Sequence, residues 1–76
     1  MEKIDFELRG DFIELDKLLK ATGLAESGGA ARMMITEGLV QVDGRDESRK
    51  TAKIRAGQVV GLHGARITVL AAPSQD

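Results

Sequence analysis

The chain predicts an α+β fold: two short helices packed on a small, mostly antiparallel sheet of about four to five strands. Three observations lead there. Lys3 to Arg9 alternates apolar and charged residues, the period of a half-buried strand. Two stretches of helical spacing follow, Leu15 to Thr22 and Ala31 to Ile35, each closed by a glycine (Gly23 and Gly38). Beyond them, apolar runs of strand length alternate with turn signals at Asp43-Gly44, Ala56-Gly57-Gln58 and His63-Gly64.

In the first strand Ile4, Phe6 and Leu8 face one way, and Lys3, Asp5, Glu7 and Arg9 the other; Gly10-Asp11 ends it. Leu15, Leu18, Leu19 and Thr22 then share one helix face. That helix starts between Phe12 and Leu15. Either Asp11 with Glu14 forms a capping box, or Glu14 itself precedes the first turn. Ser27 is the expected N-cap of the second helix, its hydroxyl accepting from the open amides of the first turn. Ala31, Met34 and Ile35 supply that helix's buried stripe. Leu39 to Val42 reads as a strand, and Asp43-Gly44 suits a type I′ hairpin turn. The returning segment from Arg45 is polar and basic, so it is expected as a short strand and a surface loop. Ile54 re-enters apolar territory, Val59 to Leu62 forms the next strand, and Arg66 to Leu70 the last, with Ile67 and Val69 on one face. Pro73 to Asp76 reads as a frayed tail.

With 76 residues the chain has room for one domain, residues 1–76. A chain of this size buries only about 60% of its unfolded surface, so its stability is marginal. It contains no cysteine, so it must stand on one apolar core without disulfides or thiolate metal sites. No apolar run approaches the ~20 residues of a membrane span. The acidic, alternating N-terminus is unlike a targeting signal, and a cytoplasmic location is expected. The net charge of −1 hides an asymmetry. Residues 1–16 carry six acids against two bases, a net −4, whereas residues 17–76 carry nine bases against six acids, a net +3.

Catalysis is poorly supported by the residue types. The sole histidine, His63, stands in a turn with no second histidine and no cysteine to share a metal. Asp46-Glu47 falls in a surface loop, where solvated carboxylates are the normal state. Ser27-Gly28-Gly29-Ala30 lacks the lysine and second hydroxyl of a phosphate-cradling loop. The chain therefore reads as a non-enzyme with neither metal nor cofactor.

Binding is better supported. Arg49, Lys50, Lys53 and Arg55 place four positive charges within seven residues. In an extended segment Lys53 and Arg55 project to one side while Ile54 points to the core. Arg32 lies off the buried stripe of the second helix, and Lys17 and Lys20 share a face of the first. Such cations hold phosphates and give salt-dependent affinity without sequence information. Ser27, Gly28 and Gly29 add backbone amides that a phosphate oxygen can approach; close helix packing or a tight turn would explain the same glycines equally well. There is no Trp and no Tyr, and Phe6 and Phe12 fall at expected core positions. Without an exposed aromatic on which to stack single-stranded bases, the expected ligand is structured RNA recognised by backbone and shape.

The pattern Leu15-Asp16, Leu19, Gly23, Ser27, Ala31, Met34-Ile35, Gly38, Val40, Val42, Asp43-Gly44 resembles the RNA-binding domain named after small-subunit ribosomal protein four, also called the αL motif. The Ser-Gly-Gly-Ala-Ala-Arg version and the downstream Arg-Lys pair resemble its small stand-alone bacterial YbcJ-like branch. The resemblance covers about Leu15 to Leu62. It implies an RNA-facing surface made of the two-helix platform and the loop after the hairpin. On this chain those are Lys17, Lys20, Arg32, Arg49, Lys50, Lys53 and Arg55. Separately from the resemblance, the expected ligand is structured RNA of ribosomal or transfer type, and the expected state a monomer associated with the ribosome. Two positions depart from the pattern: Gly28 stands where the family has an arginine, and Asp43 where asparagine is commoner. A different class of function stays open beside this one, a protein-interaction module that uses the acidic N-terminal strand as a sheet edge.

Overall fold

The computed structural model describes residues 2–72; the tail expected at residues 73–76 lies outside them. The elements in chain order are β1 (Glu2–Glu7), β2 (Ile13–Glu14), α1 (Leu15–Ala21), α2 (Gly28–Thr36), β3 (Val40–Val42), β4 (Arg45–Asp46), β5 (Lys53–Ile54), β6 (Val59–Leu62) and β7 (Ala65–Leu70). Five strands form one sheet in the order β1-β7-β6-β3-β4, and β2 pairs with β5 in a second, two-stranded sheet. All pairings are antiparallel except β1 with β7, which runs parallel from Glu2↔Ala65 to Glu7↔Leu70. The architecture is the α+β one expected, with two helices and a mostly antiparallel sheet.

The two helices satisfy their first-turn amides in different ways. Ser27 accepts from the Ala30 amide at 3.1 Å, a cap worth about 1 kcal/mol. At α1 the cap is Glu14, and its side chain makes no capping bond, so of the two starts open from sequence, the one without a capping box is realised. The first-turn amides of α1 find other acceptors. Leu15 donates to the Ala52 carbonyl at 2.9 Å and Asp16 to the Lys50 carbonyl at 3.1 Å. This satisfies amides a helix start otherwise leaves open and fastens the basic loop to the head of α1. At its other end α2 closes with a Schellman pair, Gly38 N–H to Ile35 and Leu39 N–H to Met34.

The hairpins follow the turn chemistry. Asp43 and Gly44 have φ of 52° and 82°, and His63 and Gly64 have 49° and 77°, the double positive φ of a type I′ turn. Asp43 is also anchored: its two carboxylate oxygens accept from the Val59 amide (3.0 Å) and the Gln58 side-chain amide (3.3 Å). An asparagine there would have one acceptor for two donors, which accounts for aspartate at this position.

One apolar cluster joins the layers. Leu15, Leu18 and Leu19 of α1 and Ala31 and Ile35 of α2 pack with Val40, Ile54, Val60, Ile67 and Val69 from the strands. All of these are at most 1% exposed. The expected stripes thus hold, and Ile4, Phe6 and Met34 border the cluster, partly buried.

Several details differ from the sequence reading, among them a third strand that begins at Val40 rather than Leu39. The first strand ends at Glu7 rather than Arg9, and the last begins at Ala65 rather than Arg66. Ile13-Glu14, expected as helix entry, is a strand whose partner lies 41 residues away (Ile13↔Ile54); two-residue strands show no period of their own. Phe12 is not a core residue but 41% exposed. Strand alternation, not helical spacing, governs residues 12–14, so Phe12 points away from buried-side Ile13. Among the described residues no helix is long and apolar enough to cross a membrane.

Candidate nucleic-acid interface

Three segments converge at the head of α1. The loop 49–55 is held there by the bonds from Leu15 and Asp16. α2 reaches the same place through Arg32, whose guanidinium Nη1 lies 3.4 Å from Asp16 Oδ2. Asp16 is 6% exposed, and its other oxygen accepts from the Lys17 amide at 2.8 Å. It therefore joins helix, helix and loop. The sequence places Asp16 among the acidic charges and in the family pattern but assigns it no role at the site; its place in the first helical turn between buried Leu15 and Leu18 is the available signal.

The seven cations expected at the interface fall into two groups. Lys17 is paired with Glu14 at 3.0 Å, Arg32 with Asp16, and Arg49 with Glu47 at 3.1 Å. The last pair is two-pronged, Arg49 Nε to Glu47 Oε2 and Nη2 to Oε1, both 3.1 Å. Hydrogen bonds from the Arg49 side chain and backbone hold the Glu47 carboxyl below its ordinary value, and the same side-chain bond raises Arg49. A carboxylate shifted down keeps its partner at neutral pH and releases it only as pH falls through that lowered value. Among the described residues Lys20, Lys50, Lys53 and Arg55 make no ion pair.

Geometry separates these four further. Lys50, Lys53 and Arg55 lie on one segment that runs from the loop through β5, with Ile54 1% exposed beneath them, the alternation expected for that segment. Lys20 sits in the last turn of α1, away from the head where the loop is fastened, so it stands apart from the other three. The charge asymmetry along the chain is partly undone in space, because Glu14 and Asp16 of the acidic segment neutralise Lys17 and Arg32.

At the start of α2 the amides of Gly28 and Gly29 have no partner among the described residues, Ala30 and Ala31 being bonded to Ser27. Neither glycine is needed for close helix packing. A Cβ on Gly29 would meet only Ser27 Oγ at 3.9 Å, whereas one on Gly28 would lie 3.3 Å from Arg32 Nη1. Gly28 leaves the space that the Arg32 guanidinium occupies on its way to Asp16. A cation therefore stands beside the N-terminus of α2, although position 28 itself carries none.

Phe12 was missed as a surface residue. Its ring lies 4.9 Å from Lys53 Nζ and 5.7 Å from Arg55 Cζ, within cation–π range. Among the described residues no three His, Asp or Glu side chains gather as a metal site would require.

A capped two-helix pair set against a hairpin-built sheet, with a basic loop fastened between them, has the form of an S4 domain. The chain belongs to the S4 domain family, whose model matches residues 6–70, wider than the Leu15–Leu62 core read from sequence. It is 49% identical over 59 residues to the protein YbcJ of Escherichia coli (strain K12), covering 78% of this chain and 84% of that protein. The YbcJ of Shigella flexneri matches to the same extent. The solution structure of YbcJ from E. coli, described as revealing an αL motif involved in RNA-binding, has a TM-score of 0.69 and 46% identity, over 88% of this chain and 86% of that one.

Proposed function

We propose that the chain, acting as one S4 domain, is a non-catalytic RNA-binding protein of the cytoplasm that engages structured RNA, of ribosomal or transfer type, as a monomer, in association with the ribosome. The observation that carries this reading is the trio Lys50, Lys53 and Arg55. These cations have no carboxylate partner among the described residues and ride on a segment held by two backbone bonds to α1 and by the pairing of β5 with β2. Unpaired cations on a held loop are ready for phosphates. The open amides of Gly28 and Gly29, with Arg32 beside them, support a further phosphate position. Lys17 and Arg49 are themselves exposed and would exchange a half-buried carboxylate for a phosphate, and Lys20 widens the basic surface. The RNA-binding motif described for the E. coli relative supports the same reading.

With about four phosphates engaged, raising salt from 50 to 200 mM is expected to weaken binding by about two decades. Fluorescence anisotropy with labelled transfer RNA across that range checks it. Binding indifferent to salt would contradict the reading. A second reading draws on β1, which pairs only with β7 at the sheet edge and exposes Glu2, Asp5 and Glu7. It requires a pull-down that recovers one protein and no RNA.

A further inference from the structure

We infer that Phe12 is a stacking platform for one unpaired base, flanked by Lys53 and Arg55 on the neighbouring phosphates; the inference rests on the RNA-binding reading above. The register of β2 with β5 pairs Glu14 with Lys53 and Ile13 with Ile54; extended one step past the ladder it would set Phe12 opposite Arg55, and the 5.7 Å between that ring and the Arg55 guanidinium carbon agrees. Side chains directly opposed across a ladder share a face. Phe12, Lys53 and Arg55 therefore emerge together, while Ile54 is buried on the other side.

Three features distinguish this cluster from an aromatic merely left at the surface. First, 41% of Phe12 remains exposed although both cations lie over its ring. Second, Glu14, the carboxylate across from Lys53, is taken by Lys17 at 3.0 Å, so the ammonium has the ring as its neighbour rather than an acid. Third, the ring borders an open groove of about 330 Å³ lined by residues 5–10 and Ile13, with the carboxylates of Asp5 and Glu7 and the guanidinium of Arg9 among them, at the small end of the range that ligand pockets occupy; Lys53 and Arg55 lie outside that lining. A π-face beside two cations matches the two parts of a nucleotide, base and phosphate. A fully paired helix keeps its bases stacked inside, so the site selects RNA that offers an unpaired nucleotide next to a stem, such as a bulge.

The test uses two RNA hairpins with the same stem, one of them carrying a single unpaired adenosine. The wild-type chain is expected to prefer the bulged hairpin by about tenfold, the scale of one base–aromatic stack, and Phe12→Ala to lose that preference. Phe12→Trp gives the chain its sole tryptophan, and no tyrosine competes with its emission. That emission is expected to be quenched by the bulged hairpin and not by the paired one. Equal wild-type affinity for the two hairpins, a preference that survives Phe12→Ala, or an unquenched tryptophan would overturn the inference and leave RNA binding standing. Failure of the wild type to bind either hairpin would overturn both.

Discussion

Replacing Lys50, Lys53 and Arg55 together by glutamate is expected to weaken binding to structured RNA by at least about a hundredfold. Each phosphate lost from a solvated cation costs on the order of 1 kcal/mol, and the introduced carboxylates add repulsion. The milder triple change to glutamine should flatten the salt dependence by about three in slope, one for each phosphate given up. Arg49→Glu alone should do much less, because Glu47 already engages that guanidinium through two hydrogen bonds. All four positions are exposed, so the fold should survive these changes. Electrophoretic mobility shifts at fixed salt check the ranking. Equal losses from the Arg49 variant and the triple variant would mean that ion pairing on the free protein does not decide which cations bind.

The largest stability effect is expected from Leu19→Ala. Leu19 is fully buried where α1 enters the shared cluster, and such truncations cost roughly 2–5 kcal/mol. A chain of this size has a total stability of only about 4–11 kcal/mol at 0.05–0.15 kcal/mol per residue. The melting temperature should fall by about 8 °C or more, read by circular dichroism. Met33→Ala is the comparison, because Met33 is 65% exposed and should leave the melt nearly unchanged. A fall below about 5 °C for Leu19→Ala would contradict its place in the core. The consequence reaches function, since α1 holds the basic loop through Leu15 and Asp16. Near its lowered melting temperature the variant should also lose RNA.

What the sequence made legible was local. Alternation in β1, the Ser27 cap, the glycines that close the helices and the Asp43-Gly44 turn all depend on residues a few positions apart, and each appears in the structure where it was expected. What escaped was long-range or too short to carry a period. The parallel pairing of β1 with β7 joins the two ends of the described chain, and no single strand announces its partner. The β2–β5 pair has two residues on each side. Missing it made Phe12 look like a helix-entry core residue and removed the exposed aromatic from view. The basic loop was readable as charge, but not its division into paired and unpaired cations. Glu14–Lys17 at i,i+3 was open to inspection, whereas Arg32–Asp16 spans two helices. Gly28 looked like a missing cation; the fold instead brings Arg32 to that place.

Amide chemical shifts of the isotopically labelled chain, followed while structured RNA is added, test the central claim most directly. The predicted shifts cluster on residues 49–55, on Gly28 to Arg32 and at the head of α1. The exposed edge of Glu2–Glu7 and the Asp43-Gly44 turn should stay still. Shifts confined to Glu2–Glu7, or none at any residue at low salt, would contradict it.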